Sequence, residues 1–247
     1  MNAGRAAQLL EINRRFYDEH GQDFADTRTR IQPGVRRVLQ SLEVEDSILD
    51  LGCGSGALAR TLSQNGHRGR YLGLDFSLPA LERASLGHYE FPTSFLEADL
   101  AQPGRLRFQV LSRSAGLMAE SWAVVAAFAF LHHIPGKSLR LDLLRLVHSW
   151  LRADGRFILS NWQFSASGRM QSRIMPWSAV GMNDTDLDEG DHLIDWRRGG
   201  TGLRYVHEFR ESELAGLAAE SGFSVVESFL SDGADRRSGL YQIWTPA

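Results

Sequence analysis

The chain is short of cysteine, of lysine and of long apolar runs, and each shortage removes a class of function. Cys53 is the only cysteine in 247 residues, so neither an internal disulfide framework nor a cysteine-clustered zinc site is expected, and no metal ligand set is read here. Thiolate and redox chemistry fall away with them. No stretch reaches the roughly 18 apolar residues of a membrane span, and Met1 to Gln8 has neither an apolar segment nor a cleavage pattern. A cytoplasmic protein is expected. Among 27 basic residues Lys137 is the one lysine and the rest are arginine, whose planar fork of donors suits carboxylates and phosphates better than a point charge does. The net charge of -3 argues against a surface given over to nucleic acid, while leaving room for one local basic patch.

What is present is an ordinary globular composition, 43% hydrophobic and 23% charged, sufficient for one large domain. Between Ala6 and His20, Leu9, Leu10, Asn13, Phe16 and Tyr17 fall at helical spacings and predict an amphipathic helix. Pro33-Gly34 opens a second helix through Leu42. Ser47 to Leu51, Arg70 to Leu74, Thr93 to Ala98, Trp122 to Phe130 and Gly155 to Asn161 read as strands, separated by helices over Ala57 to Gln64, Leu78 to Leu86 and Ser138 to Leu151. That alternation predicts an α/β fold with parallel βαβ units in a doubly wound sheet. A helix over Glu211 to Ser221 and strands over Phe223 to Leu230 and Leu240 to Trp244 close it, bringing a mostly parallel sheet to seven strands. Ala166 to Arg204 lacks periodicity and reads as an irregular lid or insert. Gln102 to Ser121 has no functional account. The expected division is a helical cap over 1–43, a core over 44–165, a substrate lid over 166–210 and a closing helix and strand pair over 211–247.

Gly52-Cys53-Gly54-Ser55-Gly56 falls between a predicted strand and helix, where small residues permit a tight turn and a close approach of ligand to backbone. Gly52 to Ala57 also fits the G-x-G-x-x-G/A pattern of dinucleotide-binding folds, which keeps a nicotinamide-dependent oxidoreductase open. Two acids bear on the choice. Asp50, just before the turn, suits a cationic ligand group better than a pyrophosphate. Asp75 closes the second strand, where a carboxylate accepts both hydroxyls of a ribose.

The run Ile48-Leu49-Asp50-Leu51-Gly52-Cys53-Gly54-Ser55-Gly56 resembles the first motif of the class I S-adenosylmethionine (SAM)-dependent methyltransferases, and the likeness extends over roughly Val44 to Trp162. It implies a Rossmann-like fold with SAM as cofactor. By this likeness Gly52 and Gly54 line the methionine part, with Asp50 before them, and Asp75 binds the ribose. Asp99, within Glu97-Ala98-Asp99-Leu100, faces the adenine amino group with Leu100 beside it. Phe76 flanks the adenine ring, and Phe130 belongs to the wall after strand four. A narrower likeness rests on Tyr17, Phe24, Thr27-Arg28-Thr29-Arg30 with Pro33-Gly34, His132-His133, Asp195 to Gly200 and Arg204 to Phe209. These are similar to enzymes that methylate the carboxymethyl group of a tRNA wobble uridine. The resemblance implies tRNA as a partner and, as for some members, a small zinc-binding activating partner protein.

The acceptor decides which further residues are needed. A carboxylate is already anionic at pH 7 and needs orienting rather than deprotonating, for which Arg197, Arg198 and Arg204 form a candidate clamp. A hydroxyl or amine needs a base, and His132, His133, Tyr205 and His207 are candidates. His133 is favoured because it follows the C-terminal end of a strand, where doubly wound sheets bind ligands. The catalytic set is therefore His133, Arg197, Arg204 and Tyr205. Arg28 or Arg30, after the first helix, is placed to meet the cofactor carboxylate. The leading reading is SAM-dependent methylation of a carboxylate or hydroxyl on a modified tRNA uridine, and a small-molecule O- or N-methyltransferase is the alternative. An oxidoreductase and a non-catalytic SAM-binding protein stand behind these.

Overall fold

Short strands flanked by amphipathic helices can bury both of their faces only in a layered arrangement. The computed structural model describes residues 1–26, 30–102, 121–165, 167–198 and 200–247. Two helices, α1 (Ala3–Asp26) and α2 (Pro33–Leu39), precede the alternating run of β1 (Ile48–Leu51), α3 (Ala57–Gln64), β2 (Tyr71–Asp75), α4 (Leu78–Ser85), β3 (Thr93–Glu97), β4 (Trp122–Phe128), α5 (Lys137–Trp150) and β5 (Leu151–Trp162). After these come α6 (Gly168–Gln171), β6 (Ile174–Met175), β7 (Asp191–Trp196), β8 (Gly202–His207), α7 (Glu211–Glu220), β9 (Phe223–Ser231) and β10 (Gly239–Pro246).

Seven strands form one sheet in the order β3-β2-β1-β4-β5-β10-β9. The pairs among β1 to β5 are parallel, and β10 runs antiparallel to both neighbours. The expected doubly wound, mostly parallel sheet is what the chain forms. Its two faces follow the period of two: Leu49, Val125 and Phe157 pack with α5 and α7 on one side, while Ile48, Val124 and Ile158 pack with α2 and α3 on the other. Among the described residues no helix is long and apolar enough to cross a membrane.

Three expectations change. Ala166 to Arg204 is not irregular, because it holds β6, β7 and part of β8, which form a three-stranded antiparallel sheet. Leu193 and Tyr205 pack on one side with Leu9 of α1, and Ile194 and Val206 on the other with Phe164. A strand covered on both faces shows no apolar-polar alternation, so periodicity could not reveal it. The second helix stops at Leu39, where the chain turns through Gln40. The fifth strand starts at Leu151 rather than Gly155, since Leu151 pairs with Trp122 ahead of a bulge. Of Gln102 to Ser121, residues 103–120 lie outside the described residues.

A buried polar cluster ties the small sheet to the core. Arg140 of α5, 1% exposed, donates from Nε to the Ile134 carbonyl at 2.9 Å, from Nη2 to the Tyr205 hydroxyl at 3.1 Å and from Nη1 to Glu213 at 3.1 Å. The Tyr205 hydroxyl donates to Asp191 at 2.8 Å, and His207 Nδ1 donates to the same carboxylate at 2.7 Å. Burial opposes a charge on His207, but Asp191 and Glu213 outweigh it and raise its pKa. A charged residue here is tolerable only because every partner is also present.

The start of α2 is packed without slack. A Cβ added at Gly34 would sit 2.3 Å from the Tyr241 ring, and the Gly34 N–H donates to Asp232 at 2.9 Å. Gly34→Ala is expected to cost about 1–3 kcal/mol by overpacking, read as a lowered urea midpoint at unchanged slope; a midpoint within error of wild type would show that α2 yields instead.

Candidate active site

The C-terminal ends of β1, β2, β3 and β4 open onto a cavity of about 290 Å³, where the loops of a doubly wound sheet converge. Its floor is the glycine turn after β1. Gly52 has φ +73°, and a Cβ there would lie 2.7 Å from Phe130, so both conformation and space require glycine. Gly54 has φ +52° and no heavy atom within 4 Å of a built Cβ, which leaves its backbone open to the cavity.

Asp75, at the end of β2, organises that turn. One carboxylate oxygen accepts the Gly54 N–H at 2.8 Å and the other accepts the Ser77 N–H at 2.9 Å. Burial raises its pKa, against the pull of those donors. Asp75 also lines the cavity, and a carboxylate offers about four acceptor sites, so it keeps capacity for a ligand hydroxyl beside its backbone donors. Cys53 is buried and fills the notch at Gly73, whose built Cβ would lie 2.7 Å from the sulfur. Burial pushes its thiol pKa well up, which makes it inert packing rather than a nucleophile.

Asp50 is 4% exposed and accepts the Tyr71 hydroxyl at 2.6 Å. Its pKa is pushed up to about 7 by burial, with the Tyr71 hydrogen bond opposing and the Asp75 charge adding to the rise. A native pKa above the unfolded value of about 4 means that the stabilisation is complete below pH ~4 and is lost as pH climbs toward the native value. Without ligand, the wild type should therefore lose more stability between pH 4 and 7 than Asp50→Asn does. Equal losses in urea titrations across that range would remove the argument.

The roof of the cavity is α1. Leu10, Asn13, Arg14, Tyr17 and Gly21 line it from one helical stripe, while Ala6, Leu9 and Phe16 are buried. Arg14 reaches across to Asp99 at 2.9 Å, and Asp99 also accepts the Ala101 N–H at 3.1 Å and the Gln102 amide at 2.8 Å. At the other end Tyr17 faces His133, its hydroxyl 3.2 Å from Nε2, and its ring packs edge-on to Phe76 with centroids 5.5 Å apart. An exposed ion pair such as Arg14–Asp99 contributes about 0–1 kcal/mol, so the roof is held mainly by the packing of α1 on β8 and not by this bridge.

The sequence-derived residues divide sharply. Asp50, Gly52, Gly54, Asp75, Phe76, Asp99, Leu100, Phe130 and His133 all line this cavity. Arg28 lies outside the described residues, and Arg30 lines the cavity. The rest of the catalytic set is elsewhere, which corrects the expected clamp. Arg197 is 65% exposed and ion-paired with Asp195. Arg204 is 2% exposed, its guanidinium 4.7 Å from the Trp162 ring centroid and 5.1 Å from that of Phe16. Tyr205 is fully buried, with its hydroxyl spent on Arg140 and Asp191. All three sit on or beside β7 and β8, whose packing against α1 and the core turns them from the cavity. Asn13 and Arg14 are lining residues that the sequence reading gave no role; the signal Asn13 carried was a polar residue among the apolar positions of the first helix. Among the described residues no group of three or more His, Cys, Asp or Glu is arranged for a metal ion.

Comparison with known proteins agrees with this geometry. The family described as "Methyltransferase domain" matches residues 21–228. A protein of Encephalitozoon cuniculi, provisionally named a methyltransferase, is 27% identical over 215 residues, covering 86% of this chain and 87% of its own. A crystal structure of a SAM-dependent methyltransferase from Methanosarcina mazei superposes with a TM-score of 0.64 at 20% identity, covering 87% of this chain and 98% of that one. The 1,6-didemethyltoxoflavin-N1-methyltransferase of Burkholderia thailandensis, solved with 1,6-didemethyltoxoflavin and S-adenosylhomocysteine, gives 0.63 at 18% identity, covering 100% and 92%. Identities this low speak to the shared fold alone.

Proposed function

Since this chain belongs to the methyltransferase domain family, we propose that it uses SAM to methylate an oxygen or nitrogen of a small, largely apolar acceptor, with Tyr17 and His133 receiving the acceptor's proton. Family membership removes the nicotinamide-dependent oxidoreductase reading. The cavity suits the cofactor: Asp50 is a buried carboxyl on its wall, Asp75 lines it with a carboxylate at the end of β2, and Gly54 leaves the backbone open. Bound SAM supplies a methyl group on a sulfonium, electrophilic enough for direct attack. Everything else is the work of this chain. Asp50 balances positive charge, Asp75 holds the ribose, and Phe76 flanks the adenine. Arg30 meets the cofactor carboxylate. Asp99 and Leu100 would form the adenine end, Asp99 from beside Arg14.

The observation that carries the small-acceptor reading is the course of α1 over the cavity, from Arg14 at Asp99 to Tyr17 at His133. The cavity wall includes the aromatic residues Tyr17, Phe128, Phe130 and Trp162. Apolar walls with a few placed polar groups are what small ligands use. For a hydroxyl acceptor, what this chain would supply is alignment of the oxygen and a place for the proton it loses on methylation. The acceptor's proton passes to Nε2 of His133, directly or by exchange through the Tyr17 hydroxyl, and leaves to solvent afterwards.

The tRNA reading draws on the likeness around Tyr17, His132-His133 and residues 195–209, but Arg197 and Arg204 lie off the cavity wall, so a carboxylate acceptor would meet Arg14 or Arg30 instead. The two readings separate in one assay. Label from methyl-labelled SAM is offered to a panel of phenols, amines and carboxylic acids and, separately, to bulk undermodified tRNA with and without a cell extract supplying a partner protein. Incorporation into a phenol or amine is expected. Incorporation into tRNA alone, with binding that weakens steeply with salt, would overturn the small-acceptor reading. No transfer to either, with SAM still bound, would favour a non-catalytic SAM-binding protein.

A further inference from the structure

We propose that Asn13 is a positioning residue: together with the Tyr205 peptide of the small sheet it fixes which ring nitrogen of His133 carries the proton, and so which one faces the acceptor. This rests on the reading of His133 as the base, and it concerns how that base is made.

β8 is an outer strand of the sheet β6-β7-β8. In an antiparallel strand the N–H and C=O of one residue point to the same side, and at Tyr205 both are met on the edge away from β7. The Tyr205 N–H donates to Asn13 Oδ1 at 2.8 Å, and the Tyr205 carbonyl lies 3.3 Å from His133 Nδ1. Asn13 Nδ2 in turn donates to the His133 carbonyl, at a longer 3.4 Å. The three residues thus close a ring across α1, the turn after β4 and β8. Asn13 is 6% exposed, so it is a buried amide with both of its functions engaged, a costly group to leave without partners.

A carbonyl oxygen only accepts, so Nδ1 carries the proton in the neutral imidazole. Nε2 is left with its lone pair directed at the Tyr17 hydroxyl, 3.2 Å away. Asn13 and Tyr17 are four residues apart on one helical face, so the amide that grips β8 also sets the height of Tyr17 over the ring. The small sheet thereby enters the reaction without contributing a side chain to the cavity: its backbone chooses the tautomer. In the opposite tautomer Nε2 would be a donor and would take no proton from an acceptor.

The test reads the ring directly and needs no acceptor. In protein labelled with 15N-histidine, the His133 signals, assigned by their loss in His133→Gln, should show the Nδ1–H tautomer both free and with S-adenosylhomocysteine. Asn13→Ala should shift the neutral ring toward the Nε2–H form that free histidine prefers. Asn13→Asp, which still accepts from the Tyr205 N–H, should keep more of the Nδ1–H form than Asn13→Ala does, and covers the case in which the alanine protein fails to fold. An unchanged tautomer in folded Asn13→Ala, or Nε2–H in the wild type, would overturn the proposal. Should His133→Ala instead leave turnover intact, the base reading fails while the tautomer result stands, so the two failures cannot be confused.

Discussion

Asp75→Ala should abolish useful SAM binding while leaving the fold in place. By the proposed function the carboxylate accepts two ribose hydroxyls, and hydrogen bonds to a charged group contribute about 1.5–3 kcal/mol each. Losing both raises Kd by roughly 10² to 10⁴-fold, at 1.4 kcal/mol per factor of ten. The turn is weakened as well, since the Gly54 and Ser77 N–H groups lose their acceptor. Burial already holds the Asp75 carboxyl at a raised pKa, so its removal relieves a desolvation cost, and the unliganded variant should melt within a few degrees of wild type. Titration calorimetry with SAM decides the matter. Affinity within threefold of wild type would mean that the carboxylate does not hold the cofactor.

His133→Ala should lower kcat by about 10² to 10⁴-fold for an acceptor that must lose a proton, the usual contribution of a positioned general base. SAM affinity should hardly change, because the ring faces Tyr17 rather than the glycine turn. Tyr17→Phe keeps the roof and removes one hydrogen bond, for which a loss of roughly tenfold is expected. The split between acceptors is the informative part. With a carboxylic acid as acceptor no base is required, and His133→Ala should then be nearly silent. Wild-type turnover of a phenol or amine by His133→Ala would eliminate the base and leave alignment by the cavity as the source of rate.

The strand-end residues that line the cavity were legible because their signals are local. Asp50, Gly52 and Gly54 lie within five residues, and Asp75 and Asp99 each end a strand; in a doubly wound sheet every strand end reaches the same edge. The acceptor half was not legible by the same route. Arg197, Arg204 and Tyr205 looked suitable as residue types, but the direction of a side chain on β7 and β8 depends on what covers each face. α1 covers one face and Phe164 the other, so Tyr205 turns to Arg140 and Arg204 to Trp162. Nothing in a single chain's spacing reports that.

The shortage of cysteine and of long apolar runs, the strand and helix alternation, and the glycine turn between two acids were enough by themselves to determine a doubly wound sheet with a cofactor-type edge. Each depends on neighbours in sequence: backbone conformation at Gly52 and Gly54, alternation along a strand, the length of a run. Only the tertiary structure decided which residues of the expected helical cap line the cavity and that the arginine-rich insert is a small sheet clamped by Arg140. It also decided that Tyr17, Asn13, His133 and the Tyr205 peptide meet. Tyr205 N–H to Asn13 spans 192 positions, and contacts at such separation are set by how packed surfaces fit, which no local pattern encodes.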